Sequence, residues 1–280
     1  MIPPLLAFSE PGSRTHSSEC VRYTLATMRM TSPRGAQFVR SSDQSLLVYF
    51  DPNQESSATD RTPLHGKLLV AANENVRKLL QLLSSKPIAG IRNLQPAYCS
   101  LLVTFDAQRW RHEELERNLH AYLDQLEEGP LPESHLVEIP VCYGEEFGPD
   151  LNRVAELHAM APEQVIRLHT STTYRVYFLG FVPGFAYLGE LPQALVTPRQ
   201  ATPRRNVLPG SVGIAGHQTG VYPCETPGGW RLLGRTPLAM FQPSRQGLSL
   251  LSIGDRVQFK SISREQFAAR LAEAGQNQCA

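Results

Sequence analysis

Cysteine is scarce in this chain: five among 280 residues, at positions 20, 99, 142, 224 and 279, an odd number with no Cys-x-x-Cys pair. That argues against a disulfide framework and a cysteine-built zinc site, and it suits a reducing, cytoplasmic setting. Charge of one sign is missing too. With 27 basic against 26 acidic residues the formal net charge is +1, so there is no positive surplus to drive binding to nucleic acid or an acidic membrane. The longest apolar tract, Val176 to Leu188, is interrupted by Gly180, Pro183 and Gly184 and falls short of the roughly 18–20 residues that span a bilayer. The apolar patch Ile2 to Phe8 is broken by Pro3 and Pro4 and follows no basic residue, unlike a secretory signal. No dinucleotide fingerprint, Walker loop, HExxH helix or GxSxG elbow occurs, and none of the eight histidines stands three or four residues from another. The common catalytic signatures and a helical metal face are therefore absent, and no metal is expected.

What is present falls into three stretches. Residues 1–37 are rich in Ser, Thr, Pro and Arg without helical or strand period, and are read as a disordered leader, with Met28 or Met30 as an alternative translation start. Residues 38–130 then show a strand at Ser45 to Phe50 and a helix at Asn73 to Leu83. Strands follow at Ile88 to Leu94 and Tyr98 to Phe105, and an amphipathic helix from His112. The order β-α-β-β-α predicts a small N-terminal α/β, ferredoxin-like domain, ended by Gly129-Pro130 and a linker near 129–136. Residues 136–275 open with a strand, Leu136 to Tyr143, and two short helices, the second beginning at Pro162 and giving way to a strand at His169-Thr170. From Gly180 to Gly247 come more than half of the chain's 20 glycines, punctuating short strands. Strands that short need a closed β-barrel to protect their edges. The fold class expected is α+β.

The chemistry concentrates in Phe178 to Phe241, where glycine turns alternate with Arg199, Arg204, Arg205, Arg231 and Arg235. Turn amides and guanidinium forks suit carboxylate or phosphate, although turns and solvated surface explain the same residues. Gln218 and Thr219, between Gly216 and Gly220, bring an amide and a hydroxyl suited to an amide or lactam edge, or to satisfying loop backbone. His169, at a helix-to-strand junction, is a candidate to project into a cleft as base or donor, against a satisfied structural histidine. Phe181, Phe185 and Tyr187 would mark an interface if exposed together.

Three segments carry a resemblance: CYGEEFGPDLNRVA from Cys142, HTSTTYRVYFLGFVPGFAYLG from His169, and GSVGIAGHQTGVYPCETPGGWRLLGRTPL from Gly210. In these the chain resembles the family that holds the B subunit of 5-oxoprolinase, the kinase inhibitor KipI and the so-called allophanate hydrolase subunit 1. The resemblance implies a cyclophilin-like β-barrel after the small domain. It further implies an enzyme subunit, incomplete alone, that works with subunits C and A to open 5-oxoproline to L-glutamate with ATP as cosubstrate. On that reading His169 is catalytic, while Gln218, Thr219, Arg199, Arg204 and Arg235 bind the substrate. Ala186 where relatives have proline, His217 before Gln-Thr-Gly, and Asn206 in place of an arginine depart from the pattern. Two alternatives stay open: an inhibitor docking on a histidine kinase, and a component acting on allophanate or another urea-like amide.

Overall fold

The computed structural model describes residues 36–50, 67–126 and 133–276. The leader at 1–37 lies outside these apart from its last two positions, as do residues 129–132 of the linker at 129–136.

The first unit runs β1 (Ala36–Ser42), β2 (Ser45–Phe50), α1 (Lys67–Ser85), β3 (Ile91–Pro96), β4 (Ser100–Phe105) and α2 (His112–Leu123). Its strands form one antiparallel sheet in the order β1-β2-β4-β3. Along β2 and β4 buried and half-buried residues alternate, which puts Leu46, Val48 and Phe50 with Leu101, Val103 and Phe105 on one face;. That face packs against Val76, Leu79 and Leu83 of α1 and Leu115, Leu119 and Leu123 of α2. Strand β1 is an addition to the expected order. Only Ala36 among its seven residues is buried, so the segment carries no hydrophobic period by which to read it.

The second unit continues with β5 (Leu136–Tyr143), α3 (Leu151–Leu157), α4 (Pro162–Ser171), β6 (Thr173–Leu179), β7 (Ala186–Gly189), a single 3-10 turn (Gln193–Leu195) and β8 (Arg204–Val207). It ends with β9 (Ser211–Ala215), β10 (Gln218–Val221), β11 (Thr226–Gly228), β12 (Arg231–Arg235), β13 (Arg256–Ser261) and α5 (Arg264–Gln276). Seven strands close into a barrel in the order β10-β7-β6-β13-β5-β12-β9, and β8 pairs with β11 beside it. Strand β13 lies parallel to β5 and antiparallel to β6. Closure leaves the barrel strands no unpaired edge, and the interior fills with Ile139, Val141, Val176, Leu188, Val212, Ile214, Leu233, Val257 and Phe259. The chain is thus α+β, a small α/β unit followed by a cyclophilin-like barrel.

One buried side chain ties the two units together. Asn73 of α1, with no exposed surface, donates its Nδ2 hydrogens to the carbonyls of Ala97 (3.4 Å) and Tyr98 (3.0 Å) in the β3–β4 turn, and to that of Tyr177 in β6 (3.0 Å). Glu74, next along the helix, pairs with Arg175 at 3.2 Å. Among the described residues no helix is long and apolar enough to cross a membrane.

Candidate functional site

The clamp at Asn73 presses the β3–β4 turn against the barrel, and between them lies a cavity of about 590 Å³, within the roughly 300–1,000 Å³ of small-molecule sites. Tyr98 and Cys99 come from the first unit, and Tyr177, Glu190, Arg199, His217 and Gln218 from the barrel. The last two are presented by the β9–β10 hairpin, whose two-residue loop has positive φ (55°) only at Gly216, the pattern of a type II′ turn. Gln218 extends from the first position of β10 and donates its Nε2 hydrogen to the Tyr98 hydroxyl across the domain boundary. Tyr98 is held by its ring neighbours Tyr177 and Phe178, each at 5.0 Å between centroids.

Burial, with the charge of Glu190 adding to it, keeps the phenols of Tyr98 and Tyr177 protonated and pushes Tyr177 up to about 12;. The charge of Arg199 acts instead on Tyr187 and Tyr222. Arg199 is exposed and makes no ion pair among the described residues, leaving its guanidinium available to a carboxylate.

Of the six residues singled out from sequence, Arg199 and Gln218 line this cavity. Thr219 does not, because neighbours on a strand point to opposite sides; its hydroxyl turns into the barrel and donates to the Gly213 carbonyl at 3.0 Å. Its one hydrogen being used there, its oxygen accepts from His169 Nε2 at 3.0 Å, and His169 Nδ1 then accepts from the Tyr143 hydroxyl at 2.8 Å. His169, expected to project into a cleft, therefore stands inside the barrel with no exposed surface, stacked on Phe259 at 4.5 Å. Burial lowers its pKa from 6.5 to about 3, so the imidazole is neutral. Arg204 and Arg235 were expected to share an anion site with Arg199, yet neither lines this cavity and each bonds another part of the protein. Arg204 pairs at 2.7 Å with the buried Asp150 carboxylate, which also accepts from Gln200 and the Leu232 amide. Arg235 donates to the Pro209 carbonyl at 2.7 Å. The aromatics near Gly184 stay in edge contact, Phe181 with Phe185 at 5.6 Å and Phe185 with Tyr187 at 4.9 Å, but they are not exposed together: Phe181 is 60% exposed, Phe185 is buried, and Tyr187 stacks on Phe178 at 4.4 Å.

A family model described as the carboxyltransferase domain, subdomain C and D, matches residues 36–251, across both units and every residue named above as lining the cavity. The chain belongs to this family. Among relatives of this subdomain C and D chain is a protein of Bacillus subtilis (strain 168) named as the B subunit of 5-oxoprolinase. It is 43% identical over 202 residues, covering 69% of this chain and 84% of the relative. The crystal structure of TTHA0988 is 35% identical with a TM-score of 0.64, covering 79% of this chain and 40% of that one, so the subdomain C and D chain spans well under half of that protein. The Kluyveromyces lactis urea carboxylase shares the fold at 16% identity and a TM-score of 0.65, over 85% of this chain and 23% of its own.

Tyr98 and Glu190 are among the lining residues of the subdomain C and D chain that sequence reasoning missed. Tyr98 meets Gln218 across 120 positions of chain, and in sequence it reads only as the first residue of a strand. Glu190 follows β7 and belongs to no motif. Neither carries a local signal, because the cavity exists only once the two units dock.

Proposed function

We propose that this chain is the B subunit of an ATP-dependent 5-oxoprolinase complex, a lactam hydrolase in the cytoplasm that opens 5-oxo-L-proline to L-glutamate together with subunits C and A. The observation that carries the reading is the 43% identity to a protein named as the B subunit of 5-oxoprolinase, across 84% of its length. The cavity supports it chemically. Arg199 offers a fork for the substrate carboxylate, Gln218 an amide for the lactam edge, and the two protonated tyrosines a partly apolar wall;. In this reading His169 and Thr219 are positioning residues: their internal hydrogen-bond chain holds β10 so that Gln218 stays aimed at the cavity. Arg204 secures, through Asp150, the segment that carries Arg199, and Arg235 fastens the Pro209 turn. One arginine facing one glutamate is too little positive charge to hold a triphosphate, so the nucleotide is assigned to a partner subunit.

The test is reconstitution with the partner subunits and measurement of 5-oxoproline-dependent ADP release. Arg199→Ala should raise KM for 5-oxoproline by about tenfold, the equivalent of losing one charge-assisted pair. No lactam-dependent release from the full set of subunits would remove the reading.

A further inference from the structure

A five-membered lactam differs from a peptide in one geometric respect. The ring forces its amide cis, so N–H and C=O leave the same edge side by side, whereas an open-chain secondary amide is trans and sends them in opposite directions. Reading such an edge takes one acceptor and one donor held next to each other.

Tyr98 and Gln218 form that pair. The Gln218 Nε2 hydrogen goes to the Tyr98 oxygen, and Gln218 Oε1 has no hydrogen-bond partner among the described residues. Within that same set the Tyr98 hydroxyl bonds only Gln218, leaving its own hydrogen to give. Both side chains line the cavity, so an acceptor and a donor stand adjacent on its wall. Exchanging the two terminal atoms of Gln218 only swaps which residue donates and which accepts. The arrangement is rigid: Asn73 holds the Tyr98 backbone, and two aromatic rings flank its side chain. Burial and the nearby Glu190 keep the phenol protonated, hence a donor, at any working pH;.

We propose that Tyr98 and Gln218 together are the specificity element of the cavity, selecting cis amides bearing an N–H over trans amides and over the corresponding cyclic esters. The inference rests on the cavity being the lactam site and adds a residue of the small N-terminal unit to it. A lactone of the same shape puts a ring oxygen against the Gln218 acceptor, and a trans amide such as N-acetylglycine can engage only one member of the pair. Each leaves a buried polar group unmatched, a loss of about 5- to 150-fold in affinity.

The experiment measures equilibrium binding of 5-oxoproline, its lactone analogue and N-acetylglycine to the full chain in its reconstituted complex, for the wild type, Tyr98→Phe and Arg199→Ala. Tyr98→Phe keeps the ring packing and removes only the hydroxyl, which frees Gln218 to turn either end toward a ligand. Expected is a lactam preference of at least about tenfold over both analogues in the wild type, falling several-fold in Tyr98→Phe. Equal binding of the three ligands to the wild type would overturn the inference, as would a preference unchanged in Tyr98→Phe, which would move recognition to Glu190 or His217. In either case a 5-oxoproline affinity that still depends on Arg199 would leave the cavity as the substrate site. Binding of 5-oxoproline indifferent to Arg199→Ala would overturn both.

Discussion

The neutral imidazole sealed in the barrel makes a quantitative prediction about acid. In the unfolded chain His169 has its ordinary pKa of 6.5, and in the folded chain about 3. Below 6.5 the unfolded state takes up a proton that the folded state refuses, so stability is fully present above that pH and is lost as pH falls toward the folded value. The slope is about 1.4 kcal/mol per pH unit, or about 2 kcal/mol between neutrality and about pH 5. His169→Phe isolates this contribution, because a phenyl ring retains the stack on Phe259 and cannot titrate. The variant also strands the Tyr143 hydroxyl, whose acceptor is His169 Nδ1, at a cost of about 1–3 kcal/mol that does not vary over this pH range. Urea unfolding from about pH 8 to about pH 5 should therefore give two curves that are separated at high pH and converge as the solution is acidified. Curves that stay parallel would mean that His169 is protonated in the folded barrel, and the assignment of its tautomer and of the hydrogen-bond chain through Thr219 would be wrong.

Two further changes probe how the barrel holds its parts. Asp150→Asn puts an NH2 among the donors of Gln200, Arg204 and the Leu232 amide, and should lower unfolding free energy by about 3 kcal/mol in a denaturant titration; a loss under about 0.5 kcal/mol would show that the cluster is solvated. Gly234→Ala would place a Cβ 2.6 Å from the Cys142 carbonyl oxygen and from Val141 Cγ1, where β12 pairs with β5. Overpacking of about 2–3 kcal/mol should lower Tm by about 5–10 °C in a calorimetric scan, and an unchanged Tm would contradict the strand spacing.

Much of the fold was legible because its signals are local. The strand at Leu136 to Tyr143 and that at Ser211 to Ala215 lie where composition and bounding glycines put them, and the crowding of glycine and proline after Gly180 pointed to a closed barrel. His169 was placed at a junction because His-Thr-Ser-Thr is a poor continuation of a helix. The structure runs α4 on to Ser171 and satisfies that last turn with side chains: Thr170, Ser171 and Thr172 each donate a hydroxyl to a carbonyl of the preceding turn;. His169 thus falls one turn after the buried Val165, on the inward face;. The arginines were legible as a set but not in their destinations, since pairing of Arg204 with Asp150 spans 54 positions. The same holds for Tyr98 opposite Gln218.

The place of β13 bears on how the chain is made. It sits between β5 and β6, the first two barrel strands to be synthesised, yet it is the last to emerge, ending at Ser261. On the ribosome β6 can pair with β7, but neither β5 nor β6 can gain the neighbour that joins them, and the hydrophobic residues destined for the lumen wait for a strand not yet translated. The ring closes only after release of nearly the whole polypeptide, which makes this half slow to fold and dependent on late, long-range pairing. The small four-stranded sheet has all its strands and both its helices in hand more than a hundred residues earlier.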